Sequence, residues 1–168
     1  MSNPVFSFPN PVNEVSARLV AAGVVLLALA TIVLDQPWLT LVLAYGFIAR
    51  VAAGPKFSPL GQLVTRVITP NLRFKERLVA GPPKRFAQGV GVVFSVAAAI
   101  LAVGLGEANA AYLVLAVLVF FAVLEAVFGI CVGCKVFALL MRAGVIPEEI
   151  CESCNNISLP GASVGNSA

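Results

Sequence analysis

The chain has 168 residues, of which 60% are apolar and 11% charged, with a net charge of +3 and a mean hydropathy of +0.98. These values lie far outside the range of soluble domains and predict an all-α integral membrane protein with room for about four spanning helices of roughly 20 residues. No histidine is present, so no His-containing triad exists, and Gly89-Val90-Gly91 lies in an apolar run where glycines let helices pack closely rather than in a phosphate-binding loop.

In chain order, the first span is predicted over residues 15–34, ending at the polar turn Asp35-Gln36-Pro37. Ala28-Leu29-Ala30 resembles a signal-peptide cleavage site, but no Lys or Arg precedes Arg18, so the segment is read as a span. The second span, 38–53, begins at Trp38, an interfacial anchor, and carries Arg50 near its other end, where it is expected to snorkel toward head groups. Gly54-Pro55 opens a basic loop reaching to about Arg85. Within it, Ser58-Pro59 reads as an N-cap with proline at the first helical position, ahead of Leu60, Leu63, Val64, Val67 and Ile68 at helical spacing. This predicts a short amphipathic helix on the inner leaflet, with Arg66, Arg73, Lys75, Arg77, Lys84 and Arg85 as membrane-surface cations close to anionic lipid. Their position against the bilayer accounts for these charges without nucleic acid.

The third span, 86–105, and the fourth, 110–131, form a hairpin across Gly106-Glu107-Ala108-Asn109. Apolar character persists to Met141, roughly 46 Å as a straight helix against a ~30 Å hydrocarbon core, so the chain must bend or emerge. Gly129 and Gly133 place the exit at about Gly129 to Lys135, followed by an interfacial helix to Arg142 that Gly144 caps. All Lys and Arg residues fall beside the N-terminus, the central loop or the C-terminus, while the two short turns carry only Asp35 and Glu107. The positive-inside rule then directs both termini and all four cysteines to the cytoplasm, in a multi-pass arrangement. Residues 1–156 are expected to form one membrane domain. Residues 157–168, rich in Ser and Gly, read as a disordered tail.

Glu125 is an acid inside an apolar helix, which calls for an interior partner or marks a polar pathway. On a straight helix it points away from Cys131 and Cys134, and Arg50 or Arg18 is its expected ion-pair partner. A small transporter lined by Glu125 and Arg50 is a further reading, and it requires a homo-oligomer.

Cys131-x2-Cys134 and Cys151-x2-Cys154, with 16 residues between the pairs, account for all the cysteines. Two spaced pairs fit a four-thiolate zinc site that is coordinatively closed and hence structural, in a non-enzymatic membrane scaffold. The same thiols fit a redox or sulfur relay. If the fourth helix breaks at Gly129 to Gly133, Cys131 and Cys134 sit at a helix N-terminus near Lys135, where a thiolate is stabilised.

Three stretches carry a family resemblance: Ser58-Pro59-Leu60, the run from Gly81 to Ala87, and the run from Leu124 to Lys135. With these the chain resembles an uncharacterised family of small bacterial four-helix membrane proteins, domain of unknown function 4395, over about Asn13 to Asn156. The resemblance implies a helical fold in a bacterial cytoplasmic (inner) membrane and supplies no activity. It also implies association with thioredoxin-like and sulfurtransferase proteins. On this reading the protein exchanges electrons or sulfur with a soluble cytoplasmic partner, with Cys131 as attacking thiol and Cys134 as its resolver.

Overall fold

A computed structural model describes residues 10–72 and 77–147. The described residues are helical apart from short turns and one short ladder. Helices α1 (Glu14–Val33), α2 (Leu39–Ala53), α5 (Gly81–Ala99) and α6 (Ala108–Phe128) form an up-and-down bundle, while α3 (Pro59–Leu63) and α4 (Thr69–Asn71) belong to the long loop, and α7 (Val132–Arg142) packs on α5. Polar contacts fix the directions. At one end Tyr112 donates to Asp35 Oδ1 at 2.5 Å, and at the other Arg18 donates to the carbonyls of Ala126 and Val127, so α1 and α6 run antiparallel.

Small residues let these helices approach. Ala28, Ala98, Ala102, Ala111 and Ala122 are buried around Val24, Leu43, Phe47, Leu115 and Leu118. The outer surface is apolar as well: Leu26, Val33, Val93, Leu113 and Phe120 are all exposed. A soluble bundle reverses this pattern, placing polar residues outside. Among the described residues three helical segments are long and apolar enough to cross a membrane, namely Glu14–Val33, Gly81–Gly104 and Ala108–Phe128. The fourth expected span is shorter, since α2 has 15 residues before a 3-10 turn at Gly54–Lys56.

The third span also starts earlier than its apolar run. Pro82 and Pro83 occupy first-turn positions of α5, so Lys84 and Arg85 are helical rather than part of the basic loop, and the helix continues as a π-helical turn over Ile100–Gly104. In the loop, Ser58 caps α3 as the sequence predicts, its Oγ accepting from the Gly61 N–H, and the helix runs on through a π-helical segment, Val64–Ile68, into α4. This element is not simply laid on a lipid surface. Val64 is buried, Leu60 fills the space beside Gly23 on α1, and Ser16 and Thr69 share a hydrogen bond, whereas Leu63, Arg66 and Val67 stay exposed. Two residues of strand, β1 (Val12–Asn13) and β2 (Leu78–Val79), pair antiparallel and close the base of the loop, a ladder too short for any periodicity to announce.

The tightest contact in the bundle is between α2 and α5. A Cβ on Gly91 would lie 2.2 Å from the Phe47 ring, whereas one on Gly89 would meet nothing within 4 Å. Gly91→Val is therefore expected to cost ~1–3 kcal/mol through overpacking, while Gly89→Ala is neutral or stabilising by up to ~1 kcal/mol through helix propensity. Thermal unfolding of the two variants in detergent checks this; equal melting temperatures would contradict the packing described.

Candidate functional site

The site is assembled where α6 ends. Gly129 adopts the left-handed region, with φ 68° and ψ 14°, and terminates α6; its N–H bonds Glu125 O at 3.1 Å. The last carbonyls of the helix are satisfied by the Arg18 guanidinium, the shortest contact being 2.7 Å to Val127 O, which also sets a cation against the negative end of the helix dipole. After Ile130 the chain turns directly into α7. Cys131 is its N-cap residue, and its Sγ accepts the Cys134 N–H at 3.4 Å, the role usually filled by a Ser or Asp oxygen.

Helix α7 is held down on α5. Phe137 and Met141 are buried against Phe86 and Ala80, the Phe86 and Phe137 ring centroids are 5.6 Å apart, and a Cβ on Gly133 would lie 2.7 Å from Ala87 Cα. This reversal carries Cys131 back over the bundle, where it lines a cavity of about 280 Å³ together with Gln88, Glu125 and apolar side chains that include Val24, Phe47 and Phe121.

Glu125 departs from the sequence expectation in two respects. On a straight helix it would point away from the thiols, but the break at Gly129 brings Cys131 and Glu125 to one cavity. Its ion-pair partner is neither Arg50 nor Arg18. Lys84 Nζ lies 2.6 Å from Glu125 Oε1, with the two side chains only 9% and 16% exposed. Lys84 is thus a buried residue, not a membrane-surface cation. Helical spacing supplied a signal that could have found it, because Lys84, Gln88 and Gly91 recur on one face once α5 is started at its prolines.

Arg50 likewise does not snorkel outward. It is 5% exposed, donates from Nε to Gln88 Oε1 at 2.9 Å and from Nη1 to Ser58 Oγ at 3.1 Å, and lies 4.4 Å from the Phe47 ring centroid. Of the other basic residues, Arg66 is exposed, Arg77 is exposed and pairs with Glu14 at 3.2 Å, and Arg85 is exposed and donates to Val51 O at the end of α2. Arg73 and Lys75 lie outside the described residues, as do Cys151 and Cys154 and hence half of the four-thiol set. Among the described residues no group of three or more His, Cys, Asp or Glu could hold a metal ion.

The electrostatics distinguish the two thiols. The Cys134 side-chain hydrogen bond holds the Cys131 pKa below the ordinary thiol value, against burial and Glu125, with Lys84 assisting. The same hydrogen bond, together with burial, pushes Cys134 upward. The helix-initiating position of Cys131 provides an independent reason for the same order. Lys84, rather than the exposed Lys135, is the cation acting on Cys131.

Two outcomes are expected. Lys84→Met leaves a buried carboxylate unpaired and should destabilise the protein by ~3–5 kcal/mol, while Lys84→Met with Glu125→Leu recovers most of the loss, as read from thermal melts. At pH 7 a small neutral alkylating reagent should modify Cys131 before Cys134 although Cys134 is the more exposed, with peptide mass spectrometry giving the order.

A family model described as Domain of unknown function (DUF4395) matches residues 12–142, and the chain belongs to that family. No curated protein and no solved structure gives a significant match to it.

Proposed function

We propose that this member of the domain of unknown function 4395 family is a multi-pass protein of a bacterial cytoplasmic membrane that exchanges electrons or sulfur with a soluble cytoplasmic partner through Cys131 and Cys134. The observation that carries the reading is the placement of Cys131 as N-cap of α7, accepting the Cys134 N–H beside the Lys84–Glu125 pair. A sulfur in that position is stabilised as thiolate and has its resolving thiol one helical turn away.

Membrane embedding is supported by the three long apolar helices and the exposed apolar residues around them. Helix α2 is a fourth crossing on this reading: it returns from the Asp35 turn to the Arg50 end, and its 15 residues, about 22 Å long, are extended by Trp38 at one side and by the 3-10 turn Gly54–Lys56 at the other. Arg18, Arg66, Arg77, Arg85, Lys135 and Arg142 gather at the cysteine end, while Asp35 and Glu107 mark the other, which favours a cytoplasmic cysteine end.

The exchange balances without a further reagent. The Cys131 thiolate attacks one sulfur of a partner disulfide, forming a mixed disulfide and releasing one partner thiolate. Cys134, after losing its proton, attacks Cys131 Sγ, closing the Cys131–Cys134 disulfide and releasing the second. Two electrons have then passed to the partner, and the steps run backwards when the partner is the reductant. With Cys131 buried and Cys134 half-buried, the amino end of α7 must lift from α5 for exchange, and the non-helical Gly129–Cys131 connection is the hinge.

Cys134→Ser should accumulate a mixed disulfide between Cys131 and a thioredoxin-like or sulfurtransferase partner, seen by non-reducing electrophoresis, while Cys131→Ser should form none and keep its fold. Loss of fold in both variants, reversed by nothing but the native thiols, would instead favour a zinc clasp that includes Cys151 and Cys154.

A further inference from the structure

Arg50 is a buried cation whose direct contacts are neutral, and the carboxylate that acts on it through space, Glu125, is already paired with Lys84. Its Nε and Nη1 are engaged by the Gln88 amide oxygen and the Ser58 hydroxyl, and the face of its guanidinium by Phe47. The ion pairs among the described residues are Arg77 with Glu14 and Lys84 with Glu125, so Arg50 has no acidic partner there, and Nη2 carries no hydrogen bond to a described residue. Hydrogen bonds to neutral groups solvate such a charge without neutralising it, and a buried charge left unneutralised is costly. Among the described residues the local balance is two cations, Arg50 and Lys84, against one carboxylate, Glu125.

Both cations line a cavity of about 220 Å³ between the amino end of α1, the carboxyl end of α2 and the start of α5, and among the described residues none that lines it is acidic. It is distinct from the cavity that holds Cys131: Glu125 lines that one, Arg50 and Lys84 line this one, and Gln88 borders both. With its oxygen accepting from Arg50, the Gln88 amide presents an N–H2 donor beside the two cations. A planar guanidinium fork, an ammonium and an amide donor are the groups that bind a tetrahedral oxyanion. The volume suffices for such an ion and part of its hydration, a water occupying about 30 Å³.

We propose that this cavity binds one oxyanion of the phosphate class, supplied either as the free ion or as the head group of an anionic lipid. The bound anion offsets the excess positive charge of the Arg50–Lys84 pair, and the cavity's position at the loop end of the bundle opens it to both sources. The site shares Lys84 with the thiol site, but its test reads anion binding and does not require thiol exchange.

The full-length protein in phosphatidylcholine nanodiscs is titrated with inorganic phosphate, followed by thermal stabilisation, and in phosphatidylglycerol nanodiscs is examined by native mass spectrometry for retained lipid. Arg50→Gln removes the fork. Ala17→Phe fills the cavity from α1 while keeping both cations, and serves if Arg50→Gln does not fold. Arg66→Gln, on the exposed loop, is the control. Phosphate binding weakened at least ~10-fold by Arg50→Gln or Ala17→Phe and unchanged by Arg66→Gln supports the site with the free ion as ligand; the roughly 1.4 kcal/mol this represents is within reach of one charge-assisted contact. One retained phosphatidylglycerol, lost in the same variants, supports it with lipid as ligand. Binding of neither by the wild-type protein, or binding that cavity filling leaves unchanged, overturns the proposal.

Discussion

The Lys84–Glu125 ion pair is the constraint around which this bundle is organised. In an apolar interior a lone ammonium or carboxylate is expensive, and the two are tolerable only when they meet. At 2.6 Å they do, which requires the first turn of α5 to lie beside the last turns of α6. Helix α5 must therefore begin at its proline pair, before the apolar run. Once α5 is fixed there, Ala87 presents the flat surface on which Gly133 seats α7, and α7 in turn fixes Cys131 over the open centre of the bundle.

The thiol site and the arginine site are two sides of the same construction. Glu125 and Cys131 share one cavity, Lys84 and Arg50 the other, with Gln88 between them. Each supporting contact removes an electrostatic or conformational cost created by its neighbour. Arg18 caps the carbonyls that the left-handed turn at Gly129 leaves free, and the Cys131 sulfur accepts the Cys134 N–H in the first turn of the helix that follows. A chain with 11% charged residues thus concentrates several of them at one end of the bundle, beside its thiols.

Much of the architecture is legible in the chain because its signals are local. Apolar runs of span length mark α1, α5 and α6, Ser58-Pro59 marks the start of the loop helix, and Gly129 marks the break before α7, whereas Gly133 lies inside α7. What escapes depends on tertiary geometry. Lys84 looks like a loop residue because charge next to an apolar run is ordinarily interfacial, and only the partner on α6 explains its burial. The angular separation of Glu125 from the cysteines is correct for a straight helix and loses its meaning at Gly129, since a left-handed residue redirects everything after it. Arg50, expected from its place near a span end to snorkel outward or to pair with Glu125, instead folds inward onto neutral groups. Gln88, Ser58 and Phe47, none conspicuous in the sequence, decide the matter.

The account stands on Cys131 and Cys134 being a free, exchangeable dithiol. The direct measurement is to purify the full chain in mild detergent without added metal or reductant, and to count bound zinc and iron beside titratable thiols per chain before and after exposure to a thioredoxin. The account predicts metal-free protein in which the Cys131–Cys134 pair closes to a disulfide and reopens reversibly. About one zinc per chain, with no thiol titratable until the protein is denatured, would contradict it and make the cysteines a structural clasp.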